Sequence, residues 1–189
     1  MTGPMRLPPM KDEELDATQE EVIAPFRKMG VDFNVSRAMI RHPRALAAFR
    51  VWATYVMIDK NALPEREREI VAMRTAFKIL APYVWSRHIS YGQRAGLTEA
   101  EMAALKRPID AHPWSEAERA LILMTDELVK DFYASDAVWA QLSAHYTDEQ
   151  CMDAVFCCGH FCLLGMFLNT AGTPLDADVP YDPDLDRFA

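Results

Sequence analysis

Helix-start signals recur along this sequence, and no run of alternating apolar and polar residues, the pattern of a half-buried strand, accompanies them. In a capping box, a Ser or Thr hydroxyl and a Glu or Gln side chain three residues later bind the free backbone N–H groups at a helix start. Three segments have this pattern: Thr98 with Glu101, Ser115 with Glu118 and Thr147 with Gln150. These signals restrict the chain to a helical fold.

Apolar residues recur at spacings of three and four, which indicates one buried face on each helix. Prolines that suit a first turn and glycines that suit a C-terminal stop set further boundaries. The sequence thereby predicts eight helices, over residues 11–28, 43–60, 64–80, 82–95, 98–106, 115–131, 135–145 and 147–171. The predicted fold class is all-α, a compact bundle of about eight helices that forms a single domain over residues 1–189.

The last predicted helix is apolar almost all round between Val155 and Phe167. A helix of that kind is enclosed on most sides, by its own domain or by a neighbouring subunit. From about residue 174 the chain becomes acidic and contains prolines. We expect an extended arm there, for which a partner subunit is a candidate support.

Charge and cysteine content exclude several classes of protein. The net charge is −8, whereas a protein that binds nucleic acid needs clustered Lys and Arg. We expect no membrane-spanning segment and no signal peptide. All four cysteines fall between Cys151 and Cys162, which does not form the disulfide framework of a secreted protein. The predicted compartment is therefore the cytoplasm.

Residues 63–98 contain the motif most relevant to function. A charged helix with Glu69 is followed by a helix with His88 and then by the turn Ala95-Gly96-Leu97-Thr98. This segment resembles the core helical hairpin of the carboxymuconolactone decarboxylase and alkyl hydroperoxidase D superfamily, and the resemblance extends roughly over residues 7–175. It implies a homo-oligomer, a trimer or a hexamer, with sites close to subunit contacts and no cofactor.

The sequence departs from that family at two positions. The peroxidase branch has a Cys-x-x-Cys motif whose cysteines correspond to Ala81 and Val84 here. Neither side chain can form a thiolate, so thiol peroxidase chemistry is disfavoured. Decarboxylase-type members often have a Glu at the position of Val84, so a carboxylate that could serve as an acid or base is also missing.

Glu69 and His88 are the candidate catalytic pair. If their helices pack as a hairpin, the carboxylate can orient the imidazole and stabilise a proton on it, as acid–base catalysis near neutral pH requires. The alternative is a buried polar pair that only satisfies itself. The resemblance favours a cofactor-independent lyase or isomerase that acts on a small carboxylated ring or lactone. The alternative function is a non-catalytic ligand-binding or structural oligomer.

Four further residues are candidates for substrate binding. Arg74 lies in an apolar stretch and could bind a substrate anion, or it could pair with an acidic side chain of the protein. Tyr83 and Trp85 could form walls for a flat ring, although aromatic residues more often pack in a core. His160 lies in the most apolar helix and is either a satisfied core residue or part of the pocket opposite His88.

The cysteine-rich segment suggests a zinc site formed by Cys157, Cys158, His160 and Cys162, but helix geometry argues against it. His160 is two residues from Cys158 and from Cys162 and points nearly opposite to them. We therefore predict no metal site. Redox chemistry at Cys157 and Cys158 is a weaker alternative, because adjacent helical residues point about 100° apart and bridge poorly.

Overall fold

The computed structural model describes residues 4–58 and 61–186. Within this part of the chain it contains α-helices and short 3₁₀ turns but no strand, which confirms the predicted all-α fold class. The helices are α1 (Ala17–Lys28), α2 (Asn34–Met39), α3 (Pro43–Met57), α4 (Glu65–Lys78), α5 (Pro82–Arg94), α6 (Glu99–Ala104), α7 (Glu116–Asp131), α8 (Asp136–Ser143) and α9 (Asp148–Ala171).

The structure corrects the predicted helices at the N-terminal end. Helix α1 begins after Asp16, whose carboxylate accepts from the Gln19 N–H in a capping box that we did not predict, so the helix starts six residues later than expected. Helix α2 was not predicted, because six residues are too few to show a helical periodicity. The three predicted capping boxes are present at the starts of α6, α7 and α9. The predicted end of the second helix, at residue 60, lies outside the described residues.

The main core lies between α4, α5, α7 and α9. Trp85, Leu121 and Phe161 are among the large side chains buried there. Helix α9 comes so close to the α4–α5 connection that a Cβ atom added at Gly165 would lie 2.4 Å from Cδ1 of Ile79. Helices α1, α2 and α3 form a second, smaller apolar cluster beside this core.

Helix α9 is long and apolar, and it is buried on one side and exposed on the other. By length and composition alone it could cross a membrane, which the sequence analysis did not predict. It packs against α3, α4, α5, α7 and α8, so one side of it is part of the core. One face, however, remains exposed and apolar.

The C-terminal arm folds back onto its own chain. Asp176 accepts from the backbone N–H of Asn34, the first residue of α2, at 2.8 Å. The Arg87 guanidinium on α5 binds Asp176 and Asp178, and the Lys106 ammonium binds two aspartates further along. The expected arm is present, but in this chain its support is its own domain.

Candidate functional site

A cavity of about 680 Å³ lies between the main core and the α1–α3 cluster. Its size is within the range of small-molecule sites, and most of its wall is apolar. Helices α4, α5 and α9 form one wall, which has the polar side chains Glu69, His88 and His160. The opposite wall is formed mainly by apolar side chains of α2 and α3 and the segment that precedes them: Phe26, Met29, Val31, Phe33, Val35, Met39, Leu46, Phe49, Ala53 and Met57.

Glu69 and His88 are in direct contact. Helix α4 presents Glu69 and helix α5 presents His88, and Nδ1 of the imidazole lies 2.7 Å from Oε2 of the carboxylate. Both residues are buried, with 3% and 5% of their surface exposed. With the carboxylate ionised, Nδ1 carries the shared proton and donates it, so Nε2 has a free lone pair. Nε2 has no hydrogen-bond partner among the described residues.

Aromatic rings hold the imidazole of His88 from two sides. Its ring makes edge contacts with Tyr91 and Phe161, with centroid distances of 5.2 and 4.7 Å. Burial raises the pKa of the Tyr91 phenol, so that group stays protonated near neutral pH. The two ring contacts and Glu69 fix the orientation of the His88 imidazole, which lines the cavity.

His160 lines the same cavity and has a different environment. Its ring stacks on Phe49 at a centroid distance of 5.2 Å, and its buried Nδ1 has no hydrogen-bond partner among the described residues. Burial, and secondarily the neighbouring His88, lowers the pKa of His160 to about 4. His160 is therefore neutral at physiological pH and can donate one hydrogen bond and accept another.

Two cations lie at the cavity. Arg94 stacks on Tyr91 and has Glu65 at 3.7 Å, so its charge is partly compensated. Arg50 lines the cavity from α3 and has no hydrogen-bond or ion-pair partner within residues 4–58 and 61–186. It is half-buried, and it is the cation best placed to receive an anionic group of a ligand.

Arg74 does not line the cavity. Its guanidinium binds both carboxylate oxygens of Asp126 at 2.6 and 2.7 Å and the carbonyl oxygens of Leu105 and Arg107 at 2.6 and 2.8 Å. Five residues separate Arg74 from Glu69, which places the two side chains about 140° apart around α4. The structure thus gives Arg74 the second of its two expected roles, an ion pair within the protein.

Tyr83 and Trp85 also lie away from the cavity lining. The Tyr83 hydroxyl donates to Asp176 of the C-terminal arm and accepts from the N–H of Val35, and burial raises its pKa. Trp85 is 2% exposed and packs in the main core. Of the residues proposed from the sequence, the structure brings Glu69, His88 and His160 together and places Arg74, Tyr83 and Trp85 elsewhere.

None of the four cysteines is among the cavity-lining side chains. Burial raises the pKa of Cys157, and a hydrogen bond with Cys162, followed by burial, raises that of Cys158. These two thiols are poor nucleophiles at neutral pH, whereas the same hydrogen bond lowers the pKa of Cys162, which is half-buried. In the described part of the chain, no group of three or more His, Cys, Asp or Glu side chains is arranged to hold a metal ion.

The sequence analysis missed the contribution of α3 to the cavity. Phe49, Arg50, Ala53 and Met57 follow helical spacing and line it together. Some of these positions belong to an apolar stripe that reads equally well as core. The one sequence signal that could have indicated a cavity wall is Arg50, a charged residue beside these apolar positions.

No protein-family model matches the chain, and no curated protein sequence matches it. Several solved structures are similar to the chain. An alkylhydroperoxidase AhpD core, an uncharacterized peroxidase-related protein from Ralstonia eutropha JMP134, is 19% identical, with 93% of this chain and 94% of that one covered and a TM-score of 0.78. A peroxidase-related protein from Silicibacter sp. TM1040 is 18% identical, with 94% and 96% covered and a TM-score of 0.78.

A third similar structure is a debrominase, Bmp8, in complex with 2,3,4-tribromopyrrole. It is 15% identical, with 94% of this chain and 95% of that one covered and a TM-score of 0.76. At identities of 15–19% these likenesses establish a common fold and leave the activity open. The chain therefore has the alkylhydroperoxidase D-like fold, as its Glu69–His88 hairpin predicted.

Proposed function

We propose that this protein is a cofactor-independent lyase or isomerase of the cytoplasm, in which His88 is the acid–base residue. The observation that carries the proposal is the 2.7 Å contact between Nδ1 of His88 and Glu69 at the wall of the cavity. This contact orients the ring, and the free Nε2 can accept a proton and return it. Glu69 acts through His88 and is a positioning residue.

The proton transfer balances in either reaction. In an isomerisation, Nε2 accepts a proton from a carbon next to a carbonyl group and returns it at another carbon. In a decarboxylation, Nε2 first takes a proton from the solvent; the bond to the carboxylate then breaks with its electron pair left on the carbon, CO₂ leaves, and the protonated imidazole donates that proton to the carbon. Neutral His160 is available to donate a hydrogen bond to an oxygen on which negative charge develops.

The cavity suggests a substrate with an apolar body and one anionic group. Its wall is mostly apolar, and its volume of about 680 Å³ accommodates more than a minimal lactone. Arg50 replaces Arg74 as the group proposed to bind the anion. A protein of the same fold binds 2,3,4-tribromopyrrole, a flat ring, which supports a carboxylated ring or lactone as the substrate class.

A substrate screen with matched variants tests this proposal. Wild type, His88→Gln and His145→Gln would be incubated with a panel of carboxylated lactones, β-keto acids and β,γ-unsaturated ketones, and ultraviolet absorbance and CO₂ release would be measured. We expect turnover by wild type and a loss of about 100-fold or more in kcat for His88→Gln. His145 is exposed and remote from the cavity, so His145→Gln should retain activity. A loss below about tenfold for His88→Gln would contradict its assigned role.

A second candidate function is ligand binding without catalysis, which the apolar character of the cavity wall favours. Octanoate and octanol would distinguish the importance of the anion from that of the apolar body, with thermal shift and calorimetry as readouts. Tight octanoate binding that His88→Gln leaves unchanged, together with no turnover across the panel, would favour the binding role.

A further inference from the structure

Helix α9 has one exposed face along its whole length. The acidic first turn, Asp148 and Glu149, is exposed, and beyond it the exposed positions are 152, 156, 159, 163, 166 and 170, which follow the alternating spacing of four and three residues typical of a helix–helix seam. The four largest side chains on it are Met152, Phe156, Leu163 and Met166, which are 37–61% exposed. We call this surface the α9 stripe, and it contains no charged residue.

The α9 stripe is nearly symmetric about Gly159. Met152 lies seven residues before this glycine and Met166 seven after it, so the two methionines are about 21 Å apart along the helix. Phe156 lies three residues before Gly159, and Leu163 lies four residues after it. A two-fold axis through Gly159 would therefore place Met152 against Met166 of a second copy and Phe156 against Leu163. A surface that matches itself in this way fits an isologous contact.

The centre of the stripe permits a close approach. A Cβ atom built on Gly159 meets no atom within 4 Å, so the glycine opens a gap in the surface rather than filling a core position. Small residues at a helix crossing allow two backbones to approach each other closely. The Trp52 ring on α3, which is 40% exposed, contacts Phe156 at 5.5 Å and extends the apolar surface at the side of the stripe.

Charge selects the direction of the pairing. The first turn of α9 contains Asp148 and Glu149, and the helix has no Lys or Arg. At its other end, Arg6 donates to the carbonyl oxygen of Thr170 at 2.8 Å. An antiparallel pair aligns position 148 with position 170 of the second copy, so the acidic turn of each helix meets Arg6 of the other. A parallel pair would bring the two acidic turns together.

The same charges argue against a membrane as the occupant of the stripe. Helices that lie on a membrane surface are rich in Lys and Arg beside their apolar face. The residues that begin α9 are acidic instead, and anionic lipid headgroups would repel them.

From this symmetry and charge we propose that the α9 stripe is the interface between two copies of this chain, paired antiparallel about Gly159. The pairing buries the largest apolar side chains that α9 leaves exposed, and it makes the protein a dimer or an even-numbered assembly of dimers. Because α3 and α9 both line the cavity and Trp52 borders the stripe, the interface lies directly behind the cavity wall.

The first test is the mass of the full-length chain in solution, by sedimentation velocity and light scattering at several protein concentrations. We expect wild type to contain an even number of chains and Leu163→Glu to have half that mass. Leu163 is 53% exposed, so the variant should keep its helical circular dichroism. Tyr133→Glu is the matched control, an exposed aromatic away from α9 that should leave the mass unchanged. A monomeric or three-chain wild type, or an unchanged mass for Leu163→Glu, would overturn the proposal.

Cross-linking tests whether the two α9 helices pair antiparallel and whether the two-fold axis passes through Gly159. Under mild oxidation Gly159→Cys should form a disulfide-linked dimer on its own, whereas Ser143→Cys on exposed α8 should not. Met152→Cys and Met166→Cys should link when mixed and not when oxidised separately. Self-linking of Met152→Cys would show a parallel pair and reject the model. Co-sedimentation of wild type with anionic phospholipid vesicles, abolished by Leu163→Glu, would reject it in favour of a membrane.

Discussion

Two buried polar clusters lie on the same helix, α4, and they differ in how completely they are satisfied. The Arg74 guanidinium has four hydrogen bonds, to two carboxylate oxygens and two backbone carbonyls, and it does not line the cavity. The Glu69–His88 pair has one mutual contact and borders the cavity, with Nε2 of the imidazole left over.

This difference indicates that the Arg74 cluster stabilises the fold and that the Glu69–His88 pair serves the function. A buried guanidinium that uses four of its five N–H groups within the protein and lies away from the cavity has little to offer a ligand, so the Arg74 cluster is structural. An imidazole that is oriented at one nitrogen and free at the other can exchange a proton. The experiments below test whether the two clusters separate in this way.

Replacing Arg74 should have the largest effect. Arg74→Met removes the donor to the carbonyl oxygens of Leu105, which is buried, and of Arg107, and among the described residues it leaves Asp126 with Lys78 at 3.4 Å as its remaining ion-pair partner. We expect the free energy of unfolding to fall by about 3–5 kcal/mol in urea denaturation. Arg94→Met, at an exposed ion pair, should cost less than about 1 kcal/mol. Equal losses for the two variants would remove the distinction.

The next effect is the acid sensitivity that His160 confers. Its pKa is about 4 in the folded chain and near 6.5 in an unfolded one, so between these pH values the unfolded state binds the extra proton. Stability should fall as the pH drops from 6.5 towards 4, by about 3 kcal/mol from this residue. Urea denaturation at pH 7 and at pH 4.5 measures this fall in the free energy of unfolding. His160→Phe retains the ring contact with Phe49 and should show a smaller difference; an identical difference would count against this assignment.

Glu69→Gln should affect function more than stability. The amide oxygen can still accept from Nδ1 of His88, so we expect the free energy of unfolding to change by less than about 1 kcal/mol. Without the negative charge the imidazole is a weaker base, and kcat should fall about 10- to 100-fold with little change in KM. Steady-state kinetics on a substrate from the panel measures this split. A large loss of stability with unchanged kcat would instead place this pair with the Arg74 cluster.

The smallest effect should come from Arg50. Arg50→Met retains an unbranched apolar chain in place of the aliphatic part of the arginine and removes the charge, so octanoate binding should weaken about tenfold or less, whereas octanol binding stays the same. Isothermal calorimetry with both probes provides the comparison. Similar losses for the acid and the alcohol would show that Arg50 contributes apolar contact rather than charge.

Local signals predicted most of the fold. The starts of α6, α7 and α9 are each determined by a hydroxyl and a side chain three residues later, so they are readable within one turn. Helix α2 was unpredictable for the opposite reason. The side chain of its own N-cap residue, Phe33, accepts no hydrogen bond, and the groups that accept from the first turn, the Asp176 carboxylate and the Tyr83 hydroxyl, belong to distant parts of the chain.

The candidate site was predictable only in part. The resemblance identified Glu69 and His88 as a candidate pair that could meet if their helices pack as a hairpin, and the structure shows their contact. Arg74 was assigned to the site because a cation in an apolar stretch is unusual, but its angle around α4 directs it towards Asp126. Arg50 was missed because the apolar residues beside it read equally well as a core face, and this one charge was the only signal of a cavity.

The capping of α2 by Asp176 has a consequence for the synthesis of the chain. The two groups are 142 residues apart in sequence, and α2 contributes Val35, Ser36 and Met39 to the cavity. A nascent chain extends from its N-terminus at roughly 5–20 residues per second, so α2 leaves the ribosome many seconds before its cap exists. Until residue 176 emerges, the N–H of Asn34 lacks this acceptor. The part of the cavity wall that α2 contributes is therefore completed later than the part that α3 contributes.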